Sequence, residues 1–372
     1  MKVMLLCCLL LLAPADTKIE PTKPPYPEAE DLVAALDLSA WDGFFSTLED
    51  SEPWQLPSLL VRELAEGETS GGTRTLAWLK RLALAGLSRA RALLLLSLAA
   101  GVLSALCAVL LESGARAAQQ VLSMGLSAAV LAGLVPLVRR GMGCMAGIAA
   151  LGERTVPLMS AALLLLASPQ GAAAMGTAGE LLLHTCLRWM ADILLPLAIG
   201  AGVLRTADAM GNSVLSGVSR LLAALVRWSI RVICLGYMLI AALLGGSAAA
   251  MDSLLLRTGR VAAGSIPLVG SVMSDSLGTA VACLGLVKGA LGWTGMLLSL
   301  VQTAGPALAL LLQGFSLRAA SALLQPLEQQ QMGSVLASLG EMLTQLGALI
   351  FASGAMLCVA VGGAAGCLGG GA

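Results

Sequence analysis

Apolar residues run along most of this chain in stretches far longer than a soluble helix or strand needs, and short polar breaks separate them. An α-helix rises 1.5 Å per residue, so about 20 apolar residues cross the hydrocarbon of a bilayer, and there only helices satisfy their own backbone groups. Charge-free runs of this length are residues 92–111, 117–138, 155–179, 181–204, 232–250, 290–312 and 342–365, although 181–204 carries charges inside it and Pro157 and Pro169 interrupt the third. The pattern predicts an all-α, polytopic integral membrane protein with about seven transmembrane helices. Residues 141–152 and 261–287 are too short or too Gly-rich for spans, and read as half-helices or re-entrant pieces.

The start of the chain follows another pattern. Lys2, the apolar run 3–12 and Ala13-Pro14-Ala15 have the positive, apolar, small order of a secretory signal over residues 1–15. Residues 16–72 form an acidic, Pro-rich segment, expected outside the cytoplasm. Residues 73–91 are amphipathic and read as a helix lying in the interface, and 92–372 as the membrane domain.

Composition sharpens the division. The 372 residues are 58% hydrophobic and 12% charged, where a soluble domain carries about 25% charged residues. The formal net charge of zero hides two opposite regions. Residues 16–68 hold thirteen carboxylates against Lys18, Lys23 and Arg62, a net of −10, whereas the chain from residue 69 onward is net +9. With seven spans and a translocated start, Arg139, Arg140 and the 205–231 arginine cluster fall outside, against the positive-inside rule. Small-x-x-x-small pairs at Gly143/Gly147, Gly285/Gly289 and Gly362/Gly366 offer close helix contacts, within the chain or in a homo-oligomer.

Candidate chemistry is sparse. Nine cysteines have no C-x-x-C spacing, and one histidine leaves no ordinary zinc set, so neither a metal nor another cofactor is expected. No nucleotide loop or nucleophile motif occurs, which argues against an enzyme, and nothing points to nucleic acid. Glu180, His184, Arg188 and Asp192 recur every four residues, forming a polar stripe that either lines a path or sits among headgroups, with Arg188 and Asp192 neutralising each other. Arg220, Arg227 and Arg231 share one helix face opposite Leu221, Leu225 and Trp228, as for a helix on anionic lipid or at a protein-docking surface. Pro267, Gly270 and Gly278 interrupt the stretch carrying Asp275, and Lys288 follows, so a broken helix bearing one carboxylate is expected there.

Residue identity adds a family. Ile266-Pro267-Leu268-Val269-Gly270, Ser274-Asp275, Thr279, Lys288, Gly305-Pro306-Ala307-Leu308 and Leu324-Gln325-Pro326-Leu327 together resemble the stage III sporulation protein AE family. Asp275, Lys288 and Arg318 match charged positions of that pattern; Gly278 and Ala309 depart from it, standing where an acidic residue and a lysine are common. The resemblance implies a multi-pass protein in the mother-cell-derived membrane around the forespore. It further implies partners: the other stage III A membrane proteins, an ATPase-like subunit, and a forespore membrane protein reached through their secretion-like channel complex. The residues alone leave a second reading open, a stand-alone transporter using Asp275 and the stripe.

Overall fold

A computed structural model describes residues 38–45, 61, 71–110, 115–166, 179, 181–209, 216–264, 270–324 and 330–369. Apart from Leu38, all of them are helical, as the apolar runs require when each segment must close its own backbone hydrogen bonds. In chain order the helices are α1 (Ser39–Phe45), α2 (Gly71–Leu110), α3 (Ala115–Leu166), α4 (Leu181–Ala209), α5 (Ser216–Gly264), α6 (Gly270–Leu324) and α7 (Gln330–Gly369).

Six stretches among the described residues are long and apolar enough to cross a membrane: Lys80–Leu103, Val130–Thr155, Leu181–Ala209, Ser216–Ile240, Gly292–Leu324 and Met332–Gly362. The polytopic all-α class stands, with six such stretches among the described residues where about seven spans are expected, the third of those lying partly outside them. The expected spans 117–138 and 155–179 and the short piece 141–152 all touch one continuous helix, α3, whose single span straddles Arg139 and Arg140. Counting only charge-free runs had cut it there. Likewise α2 runs unbroken from the amphipathic 73–91 stretch into the first span, and the fourth span begins at Ser216, sixteen residues before the predicted 232. The signal 1–15 and most of the acidic segment lie outside the described residues.

The core is the antiparallel hairpin of α6 and α7. Glycines recur every seven residues on α7, at Gly333, Gly340, Gly347 and Gly354, the period of a left-handed helix pair. They meet Ser321, Gly314, Ala307 with Leu311, and Thr303 in turn on α6. The closest approach is at Gly340, where a Cβ would stand 2.7 Å from the Gly314 carbonyl oxygen. Only glycine lets the two backbones come so near, and in lipid that closeness replaces the hydrophobic drive. Hydroxyls stitch the same seam: Ser321 Oγ donates to the Gly333 carbonyl at 2.8 Å and Ser299 Oγ to that of Gly354 at 3.2 Å.

The other helices take their depth from this hairpin. α2 meets Leu312 at Gly86 and Leu324 at Gly101, so it descends towards the closed end of the hairpin. α3 runs the opposite way, with Gly141 against Leu310 and Ile350 and Gly152 against Leu187 and Leu357. α4 returns to the closed end, where Gly202 packs on Met342, and α5 leaves from there. A π-helical turn, Met190–Leu194, precedes Pro196 in α4. The Leu195 N–H bonds back to the Met190 carbonyl, five residues earlier, opening the turn in which the Pro196 ring would otherwise clash with the carbonyl of Asp192. At the open end, α1 inserts the fully buried Trp41 beside Gly295.

Candidate functional site

Three helices bring charge together near the closed end. Glu341, on α7, lies inside the span Met332–Gly362, eleven residues on from Gln330, the first residue of α7. Its Oε2 contacts Arg205 Nη1 of α4, and its Oε1 accepts from Arg227 Nη1 of α5 at 2.8 Å. Gln345 Nε2, one turn along α7, reaches the same Oε1 at 3.4 Å. The side chains are 17% exposed for Glu341, 25% for Arg205 and 49% for Arg227, so the carboxylate is the interior member and Arg227 the rim. Asp208, one turn beyond Arg205, has a buried Oδ1 with no hydrogen-bond partner. Two arginines therefore share one carboxylate, and such pairing is how ionisable groups persist in apolar surroundings. The cluster fastens α4 and α5 to α7.

The predicted stripe is arranged differently. His184 and Arg188 stand on the exposed side of α4 at the open end, and both turn to Glu153 of α3. Arg188 Nη2 donates to Glu153 Oε1 at 2.9 Å, and His184 Nδ1 is 3.9 Å from the same oxygen. Arg188 thus takes its partner from the neighbouring helix, whereas Asp192 is exposed in the π-helical turn. Glu180 lies outside the described residues. With side chains 44–53% exposed, this is a rim pair.

Of the remaining candidates, Pro267, Gln325 and Pro326 lie outside the described residues. Gly270 begins α6, and Asp275 and Lys288 lie on its N-terminal part, before the span Gly292–Leu324. The helix is continuous through Gly278, so the interruption expected there is absent; glycine weakens a helix without ending it when its neighbours hold the backbone. Arg318 is exposed on α6, its stem packed over Gly340. Glu341 and Glu153 were missed from sequence. Glu341 directly precedes the run 342–365 and reads there as a boundary charge. Glu153 belonged to no charge-free run.

A third polar contact joins α3 to α6 at mid-depth: Cys144 Sγ donates to the Gln302 carbonyl at 3.3 Å, and Gln302 Nε2 returns to the Cys144 carbonyl at 3.5 Å. Among the described residues no three His, Cys, Asp or Glu side chains come close enough to hold a metal ion. The chemistry on view is charge neutralisation between helices.

A family model described as Stage III sporulation protein AE matches residues 77–366, which takes in nearly all of the six-span bundle. The chain belongs to the stage III sporulation protein AE family. This agrees with the resemblance carried by residues 266–327, and the matched region begins after the acidic segment 16–72. No curated protein and no solved structure matched the chain. The family is one of sporulation membrane proteins, and the two ion clusters, with Pro196, Pro306 and the glycine ladder, all fall inside the matched region.

Proposed function

We propose that this chain is a non-enzymatic membrane subunit of the channel, or secretion-like complex, that joins mother cell and forespore. It sits in the mother-cell-derived membrane around the forespore. Its partners are the other stage III A membrane proteins, an ATPase-like subunit, and a forespore membrane protein reached through the complex. The observation that carries this reading is the family match over residues 77–366.

The fold supports an orientation for the subunit. With a signal at 1–15, six spans return both ends of the bundle to the outside, and Trp41 of the leader packs at the open end. The closed end then faces the mother-cell cytoplasm, and with it Arg205, Arg220 and Arg318. Six spans thereby meet the positive-inside rule that seven would break.

Deleting the gene in the spore-forming host should leave engulfment intact and stall the forespore afterwards, read as loss of a late forespore reporter. Normal spores would refute the proposal. The competing reading, a stand-alone transporter, requires solute or proton movement by the purified chain in liposomes, lost in Asp275→Asn. What favours the subunit is that His184 and Arg188 of the stripe turn to Glu153 at the exposed rim of the bundle.

A further inference from the structure

The α6 and α7 helices keep one register along their contact. Ser321 meets Gly333, Gly314 meets Gly340 and Ala307 meets Gly347, so Arg318 of α6 stands level with Leu336 of α7, near the closed end. The Arg318 stem lies against Gly340, its Cγ 2.9 Å from the place a Cβ would take there. Arg227 of α5 donates to Glu341, the next residue. Two arginines from different helices therefore border one stretch of α7, roughly 7.5 Å apart along its axis by the helical rise from Leu336 to Glu341. That stretch is open to the outside. Ala337, Glu341, Thr344 and Ala348 step by four, three and four along one face and are only half-buried, whereas Leu339, Gly340, Met342 and Leu343 are buried. Ile350, which meets α3 at Gly141, points nearly the opposite way on the helical wheel, so α3 does not cover this face. It is the floor of a groove with α6 on one side and α5 on the other.

The groove carries more positive charge than it balances. Glu341 is the carboxylate on its floor, and Arg205 takes the other oxygen from the far side. Arg318 is exposed and has no acidic partner among the described residues. Arg220, two turns before Arg227 on the same face, donates Nε to the Ser216 carbonyl at 3.1 Å and keeps its two terminal nitrogens for another acceptor. Even with Asp208 included, four arginines answer to two carboxylates. Exposed Trp228 and Phe315 stand beside the arginines, so the mouth of the groove opens onto lipid. A phospholipid is the default neighbour of such a face, and charge decides which headgroup fits. A guanidinium fork matches two phosphate oxygens. A zwitterionic headgroup would bring its own ammonium up against the arginines, whereas an anionic one brings none. A second copy docked about a two-fold axis would set the same cations against each other.

We propose that the groove between α5 and α6, floored by α7 from Ala337 to Ala348, holds an anionic phospholipid. Its phosphodiester lies between Arg227 and Arg318, and its acyl chains run away from the closed end along Leu311, Thr344 and Ala348. The lipid supplies the negative charge that Glu341 alone cannot give to both sides, and it bridges α5 to α6 where the protein leaves them apart. This goes beyond the subunit reading and does not depend on it.

The test titrates the purified full-length chain, in micelles of an uncharged detergent, with phosphatidylglycerol, phosphatidylcholine or free glycerol phosphate. Native mass spectrometry counts the bound lipids, and the melting temperature is followed alongside. Phosphatidylglycerol should be retained over phosphatidylcholine by roughly tenfold or more and should raise the melting temperature. Arg318→Gln and Arg227→Gln should each weaken that retention roughly fivefold, as loss of one arginine beside an anionic headgroup implies, and Arg318→Lys should keep part of it. Arg318→Gln should melt like wild type in phosphatidylcholine, since only an exposed group is altered, which separates lost binding from lost folding. Ala337→Phe fills the floor without touching a charge and should displace the lipid. Arg139→Gln, on α3 and away from the groove, should change nothing. Equal retention of the two lipids would overturn the proposal, as would a preference that Arg318→Gln and Arg227→Gln leave intact. Equal stabilisation by free glycerol phosphate would overturn it too, by assigning the site to a water-borne anion. The gene deletion tests the subunit reading separately, so either can fail without the other.

Discussion

Replacing Glu341 by leucine removes the one anion that Arg205 and Arg227 share. At 2.8 Å and an effective dielectric constant near 20, each contact is worth about 6 kcal/mol before desolvation is counted. The net effect is smaller, because removing one partner of a buried pair costs about 3–5 kcal/mol, chiefly for the charges left behind. Arg205 is the more buried of the two, at 25% exposed against 49% for Arg227, so it carries most of the loss. We expect Glu341→Leu to destabilise the bundle by about 3 kcal/mol, Arg205→Leu by about 2, and Arg227→Leu by about 1. The triple leucine variant should recover to within about 1 kcal/mol of wild type, since the three paired charges are then removed together. Equilibrium unfolding of the purified chain in mixed micelles, titrated with SDS, measures all four. A Glu341→Leu variant within about 0.5 kcal/mol of wild type, or a triple variant worse than that single one, would show that the cluster does not hold α4 and α5 to α7.

Three further outcomes follow from packing. Gly340→Ala pushes a methyl group against the Gly314 carbonyl and should cost about 1–3 kcal/mol in the same titration, whereas Gly143→Ala, facing open space, should cost nothing measurable in the isolated chain. Trp41→Ala empties a fully buried site beside Gly295 and should cost about 3–5 kcal/mol; an unchanged unfolding midpoint would mean that α1 is not docked on the bundle. Glu153→Gln breaks a half-exposed pair with Arg188, so its cost should stay below about 1 kcal/mol and shrink further in high salt.

The solvent of this fold was legible in the sequence, because nothing but lipid accommodates apolar runs of that length. The family was legible too, through proline and glycine positions between 266 and 327. Span boundaries were not. Charge-free windows assume that charges stand at interfaces, and Arg139, Arg227 and Glu341 break that assumption, since helix partners or an exposed face decide where a charge can sit. The π-helical turn escaped notice although Pro196 announced it. The glycine ladder was hidden for another reason: small pairs were sought four apart, but the two helices wind about each other with a period of seven. Glu341 could have been found by asking which carboxylate answers the arginines at 205 and 227. Sequence distance hid that answer, since Arg227 and its partner lie 114 residues apart.

The central hairpin also leaves the ribosome after the helices that pack on it. Its two spans are about half buried inside the bundle, at 50% and 56%, whereas the spans of α2 and α5 are 19% and 17% buried. Until α7 emerges, the earlier helices wait in the bilayer without their main neighbour, and Arg205 and Arg227 wait without their counter-ion. Assembly is consequently decided only once α7 has been made. A nonsense codon between the end of α5 and Gly354 would leave behind a set of inserted but unassembled helices, the kind of substrate that membrane proteases clear.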